Sequence, residues 1–240
     1  MSIRYETPVA EVASGWPVSI RVLERYRIDY CCGGSKPLGD ACQEKGISLD
    51  QFLADVETTQ QSAGVSRARA WNSATASELI AHILEKHHAY LRSELPRLTQ
   101  LLEKVLAAHG AAHGESLRPL RDVLAGLQGE LEQHMGKEEN ILFPFIQQLE
   151  RAKVSGGAGQ FRGMSVHNPI GVMEHEHESA GNALREMRRW TADYTVPADG
   201  CQIYRALFEG LQTLEADLHE HIHLENNILF PKAVALEESV

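Results

Sequence analysis

From residue 75 onward, leucines recur every three or four positions. Leu120, Leu124, Leu127 and Leu131 make one series, and Leu207, Leu211, Leu214 and Leu218 make another. At about 100° per residue, each series falls on one narrow face of a helix. Leu, Ala, Glu, Gln and Arg fill these stretches and favour helix, while strand signals are weak. The pattern predicts four long helices, over residues 75–108, 118–151, 169–191 and 200–235. Thr75 and Glu78 fit a capping box at the start of the first, and Pro96 inside it should kink it. A glycine-rich loop is expected at 154–163. Modest connections between four such helices predict an all-α fold with an up-down four-helix bundle over 74–240. Residues 1–60 read as a small helical domain. One helix is expected at 17–26, with Pro17 in its first turn, then a Gly33-Gly34 turn. A second helix should start at Ser48, where Ser48 and Gln51 fit a capping box. Residues 61–73 are polar and read as a linker.

The second and fourth helices are copies of one another. The two leucine series align at one constant offset. At that offset His134 matches His221, Glu138 matches Glu225, and Asn140-Ile141-Leu142-Phe143-Pro144 matches Asn227-Ile228-Leu229-Phe230-Pro231. The first and third helices repeat more weakly: Leu84, His88, Leu91, Leu95 and Leu98 align with Met173, His177, Ala180, Leu184 and Met187. The bundle therefore reads as a duplicated helical hairpin.

The chain has 12 histidines, and the helical wheel sorts them. His134 and Glu138 continue one leucine stripe, His221 and Glu225 the other, and His88 and His177 lie on the stripes of the remaining helices. His87 sits at the stripe edge. His82, His167 and His175 fall off the stripes, and so do His219 and His223, which are expected to be solvated. Each half thus turns inward one His from its first helix and a His-x-x-x-Glu from its second. Buried imidazole and carboxylate are costly unless paired or bound to metal. The repeat preserves all six positions, which favours metal over a core network of His–Glu pairs. Imidazole with carboxylate suits iron, zinc, copper or nickel. The six divide into two sets of three, and two glutamates can bridge, so a pair of irons with an oxo or hydroxo bridge is expected. Zinc is the alternative.

Bulk properties narrow the setting. The net charge of −10 argues against nucleic acid and anionic membrane as partners. No window approaches a membrane span, and no signal-type segment opens the chain, so a cytoplasmic protein is expected. Of the cysteines, Cys31 and Cys32 are adjacent and stand just before two glycines. Neighbouring cysteines rarely bridge each other. These thiols could bind iron, take nitrosyl or exchange disulfides, or could simply be small residues capping a helix. Cys42 and Cys201 carry no motif and are expected to be structural.

The two His-x-x-x-Glu segments with the preceding His88 and His177 resemble the hemerythrin-like fold. Joined to Asp29-Tyr30-Cys31-Cys32-Gly33-Gly34 and Glu225-Asn226-Asn227-Ile228-Leu229-Phe230-Pro231, they resemble the RIC (repair of iron centres) family over nearly the whole chain. Hemerythrins themselves add a fifth His and carry oxygen, an arrangement this sequence lacks. The resemblance implies a bacterial, cytosolic di-iron protein that repairs iron–sulfur clusters damaged by nitric oxide or oxidants, through iron delivery or nitric oxide reduction. It implies His88, His134, Glu138, His177, His221 and Glu225 as metal ligands, with Glu130 and Glu176 lining access to them. Iron–sulfur proteins would be the clients and nitric oxide or oxygen the small ligand. The electron donor, and whether the chain forms a homodimer, stay open. An oxidoreductase acting on nitric oxide and a hemerythrin-type carrier or sensor without turnover are both retained. His109 also has a counterpart in the family, but lies roughly 30 Å from His88 along the helix and cannot join the same site.

Overall fold

The computed structural model describes residues 3–62, 71–156 and 164–240. Four short helices form the N-terminal part: α1 (Val9–Gly15), α2 (Ile20–Tyr26), α3 (Leu38–Glu44) and α4 (Leu49–Ser62). The remainder contains α5 (Ala76–His82), α6 (Ala89–Lys137), α7 (Phe143–Ser155), α8 (His167–Trp190), α9 (Gln202–Leu224) and α10 (Phe230–Glu237). Among the described residues there is no strand, only an isolated bridge between Pro8 and Pro37.

Most capping signals act as read. Thr75 and Glu78 form both halves of their capping box. The carboxylate of Glu150 adds to it by accepting the Ala76 and Ser77 N–H groups at 2.7 and 3.1 Å. Ser48 Oγ accepts the Gln51 N–H at 3.1 Å, but the Gln51 amide turns to Asp55 instead of closing the box. Helices α1 and α3 were not expected. Each is seven residues long, with Pro8 and Pro37 as their N-caps. Helices this short have little intrinsic stability; they persist by packing Val9, Val12, Leu38 and Cys42 into a core shared with Phe52 and Val56. Of the expected linker, residues 63–70 lie outside the described residues, and Trp71–Ser73 form a 3₁₀ turn. Of the expected loop at 154–163, residues 157–163 lie outside them, and α7 runs on to Ser155.

One expectation about the first hairpin needs correction. Helix persists through the segment left between 108 and 118, and leaves helical angles only at His113 (φ −120°, ψ 15°). Alanines 111 and 112 favour helix up to that point. The chain reverses there, since Thr99 meets Gln128 and Arg92 meets Glu139. Pro96 keeps helical angles. Its ring is exposed, and so is Arg92, whose carbonyl loses an N–H partner to the proline and faces water instead.

Among the described residues three π-helical turns interrupt the bundle, at Ile83–His88, Glu138–Leu142 and Glu225–Leu229. The repeated Asn-Ile-Leu-Phe-Pro accounts for two of them. Pro144 and Pro231 have no N–H for the carbonyls of Asn140 and Asn227. The ladder shifts register, and Phe143 and Phe230 donate five residues back, to Glu138 O and Glu225 O. Such widened turns are frequent at functional sites. Here they carry His88, Glu138 and Glu225, between two apolar clusters: one holds Leu91, Leu131 and Leu218, the other Ile83, Leu142 and Leu229.

The N-terminal helices dock on one side of α9. His219 Nδ1 lies 2.9 Å from Glu24 Oε1, and His223 Nδ1 lies 3.3 Å from the Tyr30 carbonyl. The Tyr30 ring meets both imidazoles edge-on. The expectation that both are solvated is corrected: His223 is 1% exposed and His219 is half-buried. A helical wheel gives the face on which a side chain lies, not whether another domain covers it. Gly34 closes the turn carrying the cysteines, where its carbonyl accepts the Ala10 N–H at 2.9 Å. A Cβ there would stand 2.6 Å from Ala10 Cβ and 2.9 Å from Tyr30 O. Gly34→Ala is therefore expected to destabilise the N-terminal helices by about 1–3 kcal/mol, as an early, separate phase in urea unfolding. A single unshifted transition would show that α1 does not pack on this turn as described.

Candidate metal centre

The six inward residues of the repeat meet in one buried layer. His88, His134, His177 and His221 are 0%, 3%, 2% and 1% exposed, and Glu138 and Glu225 are both 0%. Each glutamate splits its oxygens between two imidazoles. Glu138 Oε2 lies 3.3 Å from His88 Nε2, and its Oε1 lies 3.4 Å from His134 Nε2. Glu225 Oε1 and Oε2 lie 3.1 Å from His221 Nε2 and His177 Nε2. Two overlapping groups result, His88/Glu138/His221/Glu225 and His134/Glu138/His177/Glu225, each with its donor atoms within 4.8 Å of one another.

These atoms fit a metal better than they fit each other. Both Glu138 oxygens, Glu225 Oε2 and His88 Nε2 are buried without a hydrogen-bond partner. Such groups cost several kcal/mol unless an ion or proton compensates them. His134 Nε2 and His177 Nε2 face one another at 3.1 Å, where a bound cation would take a lone pair from each ring once both are neutral. The outward ring nitrogens are held by outer partners, as in metal-bound histidines. His88 Nδ1 meets Glu139 Oε1 at 2.7 Å, His134 Nδ1 meets Glu176 Oε2 at 2.9 Å, and His177 Nδ1 meets Asn226 Oδ1 at 2.7 Å. Arg92 in turn anchors Glu139, and Lys137 anchors Glu176.

Charge follows the same arrangement. Burial opposes protonation of His134, but Glu138 and its neighbours prevail and carry its pKa up to about 9. His88 and His177 are raised in the same way, against burial, by Glu138 and Glu225 respectively. For His221 burial prevails and its pKa is lowered. Burial would raise Glu225, yet His221 and His177 hold it well below the usual carboxylate range.

The duplication also predicts the outer shell, which the reading of single helices missed. Glu139 and Asn226 occupy equivalent positions, one residue past each inward glutamate, and each holds the histidine of the preceding helix. Glu176 has His87 as its counterpart. His87 does not bond His221; it stacks on that ring at 5.2 Å, with its own Nδ1 3.0 Å from Asp217. His221 Nδ1 is left without a partner.

Glu130 and Glu176 line a narrow cavity that reaches His134, His177 and His221 between Leu131, Ala180, Leu218 and Ile222. Glu130 is exposed and accepts the Ser179 hydroxyl at 3.0 Å. Glu176 is half-buried. The cysteine pair adjoins the same layer. Cys32 Sγ lies 3.8 Å from the His177 carbonyl, and Asn226, which holds His177, also donates to the Cys31 carbonyl at 3.4 Å. Asp29 Oδ1 accepts the Cys31 and Cys32 N–H groups, both at 3.0 Å. The two thiols are free, 3.8 Å apart, with Cys31 buried and Cys32 exposed. The Cys31 thiol leans on Cys32; that contact and burial raise Cys31 well above the ordinary thiol range, while Cys32 is lowered, first by Cys31. Cys32 is thus the more readily ionised thiol. Of the two cysteines expected to be structural, Cys42 is buried, but Cys201 is exposed at the start of α9. His109 sits with His113 and Asp199 in a separate group.

Residues 79–233 match the family model of the hemerythrin HHE cation binding domain, and residues 5–60 match a domain of unknown function (DUF542). An iron-sulfur cluster repair protein YtfE from Pectobacterium carotovorum is 36% identical over 228 residues, 94% of this chain and 96% of the relative. The protein of the same name from Edwardsiella ictaluri is 37% identical over 95% of this chain and 97% of its own length. A probable iron-sulfur cluster repair protein from Haemophilus influenzae is 36% identical over 94% of this chain and 96% of its own. With the cation-binding domain and full-length relatives both matched, the chain belongs to the hemerythrin-like family of iron-sulfur cluster repair proteins.

Proposed function

We propose that this chain is a di-iron protein that repairs iron–sulfur clusters damaged by nitric oxide or oxidants. One observation carries the reading: Glu138 and Glu225 each direct one oxygen toward either pair of imidazoles. Two buried carboxylates shared in this way suit a pair of ions better than a single ion, and imidazole with carboxylate suits iron. When bound, the iron pair supplies electrons and coordination positions open to a small ligand such as nitric oxide or oxygen.

The chain's own residues do the rest. Glu139, Glu176 and Asn226 fix the imidazole rings. Leu131, Ala180, Leu218 and Ile222 keep the passage dry, and Glu130 and Glu176 give it a polar outer end. Cys31 and Cys32 meet the damaged client beside His177, in the cytoplasm, where thiols stay reduced. Among the described residues the two His–Glu groups bring together four histidines and no fifth, which favours repair chemistry over oxygen carriage.

His134 gives the pH dependence. With a pKa of about 9 before metal binds, its ring is protonated at neutral pH, and loading must expel that proton. Apparent affinity should climb with pH and level off above about 9. The test is repair of a nitric-oxide-damaged iron–sulfur enzyme, with metal content measured in parallel. Glu225→Leu should weaken iron binding beyond the ~10–100-fold typical of losing an outer partner and abolish repair. Cys31→Ser with Cys32→Ser should keep the iron and lose repair. Full iron retention by Glu225→Leu would remove Glu225 as a bridge. A reversible oxygen adduct without any repair would favour the carrier.

A further inference from the structure

We infer that the end of the bundle remote from the His–Glu layer holds a second metal site, for a zinc-class transition ion, built from His109, His113 and Asp199 with Cys201 beside them. It stands independently of the proposed function. One donor atom from each of His109, His113 and Asp199 lies within 4.8 Å of the others. His113 Nε2 faces both Asp199 oxygens, at 2.9 and 3.0 Å. A surface ion pair between those two would leave the convergence of His109 unexplained. Two imidazoles and a carboxylate, with a thiol next to them, are the donor types zinc takes in tetrahedral sites, and they suit magnesium or calcium poorly.

The scaffold holds these groups in place. His109 and His113 are one turn apart on α6, and the buried Tyr204 ring meets both edge-on, at 5.4 and 6.0 Å. Asp199 and Cys201 come from the connection between α8 and α9. A turn closed by Gly200 N–H to Pro197 O at 2.9 Å presents them. Only glycine fits at its end, because a Cβ on Gly200 would stand 2.5 Å from Val196 Cγ1 and 2.9 Å from Pro197 O. The Cys201 thiol lies within hydrogen-bond reach of the Tyr204 N–H and of His109. It is free and exposed, which makes its sulfur the candidate fourth donor. The ion would tie the turn of the first hairpin to the connection that opens the second.

The probe is Zn²⁺, followed by Co²⁺, added to the full-length, iron-loaded protein. Equilibrium dialysis should find one zinc per chain beyond the resident metal. His109→Ala with His113→Ala should abolish that equivalent, and Asp199→Asn should weaken it at least about tenfold, both without loss of iron. Zinc should raise the melting temperature of the wild type but not of the double variant. Co²⁺ should give a thiolate charge-transfer band that Cys201→Ser removes. No added zinc in the wild type would overturn the site, as would an equivalent that survives His109→Ala with His113→Ala. So would one that disappears only with Cys31→Ser and Cys32→Ser. A wild-type cobalt band unchanged in Cys201→Ser would remove Cys201 from the donor set.

Discussion

Two carboxylates with no exposed surface, set among four imidazoles, are the constraint on which the rest of the structure depends. Glu138 and Glu225 lie fully buried on widened turns in the middle of the bundle, where an uncompensated charge would cost more than a typical domain can spare. Everything around them reduces that cost. Imidazoles face both oxygens, outer partners hold three of the four rings, and apolar clusters above and below exclude water. Replacing the layer with leucine would give a continuous core; its retention in both halves of a duplicated hairpin calls for a cation.

The duplication explains the order in the site and its departures from it. Equivalent residues do equivalent work at His88 and His177, at Glu138 and Glu225, and at Glu139 and Asn226. The symmetry breaks where Glu176 is matched by His87. One half holds its second imidazole with a charged partner and the other with a stacked ring. It breaks again on the outside, where the N-terminal helices pack against α9 and reach α8. That cover brings Cys31 and Cys32 to the His177 end of the layer.

The fold and the inward residues were legible because they follow from periodicity, which a single chain displays directly. Leucines every three or four residues fixed the helices, and continuing the stripe placed His134, Glu138, His221 and Glu225. What periodicity could not give depends on contacts between elements. His219 and His223 lie off the stripe, and Glu24 and Tyr30, far away in sequence, leave the first half-buried and the second buried. Helices α1 and α3 are too short to show a period. Two of the three π turns carry a signal in the sequence, a proline placed so that the carbonyl four residues before it cannot be paired; the turn at Ile83–His88 has none. Glu139 and Asn226 were also within reach, since the same offset that pairs the ligands pairs them.

The central claim is that the buried His–Glu layer holds a pair of iron ions. Metal content and an optical spectrum of the full-length protein, purified without oxygen and then oxidised, test it most directly, beside a His134→Ala, His221→Ala variant. The account predicts a pair of irons per chain, absorption of oxo-bridged iron on oxidation, and loss of both in the variant. Zinc, or no metal, in protein from iron-replete cells would contradict it.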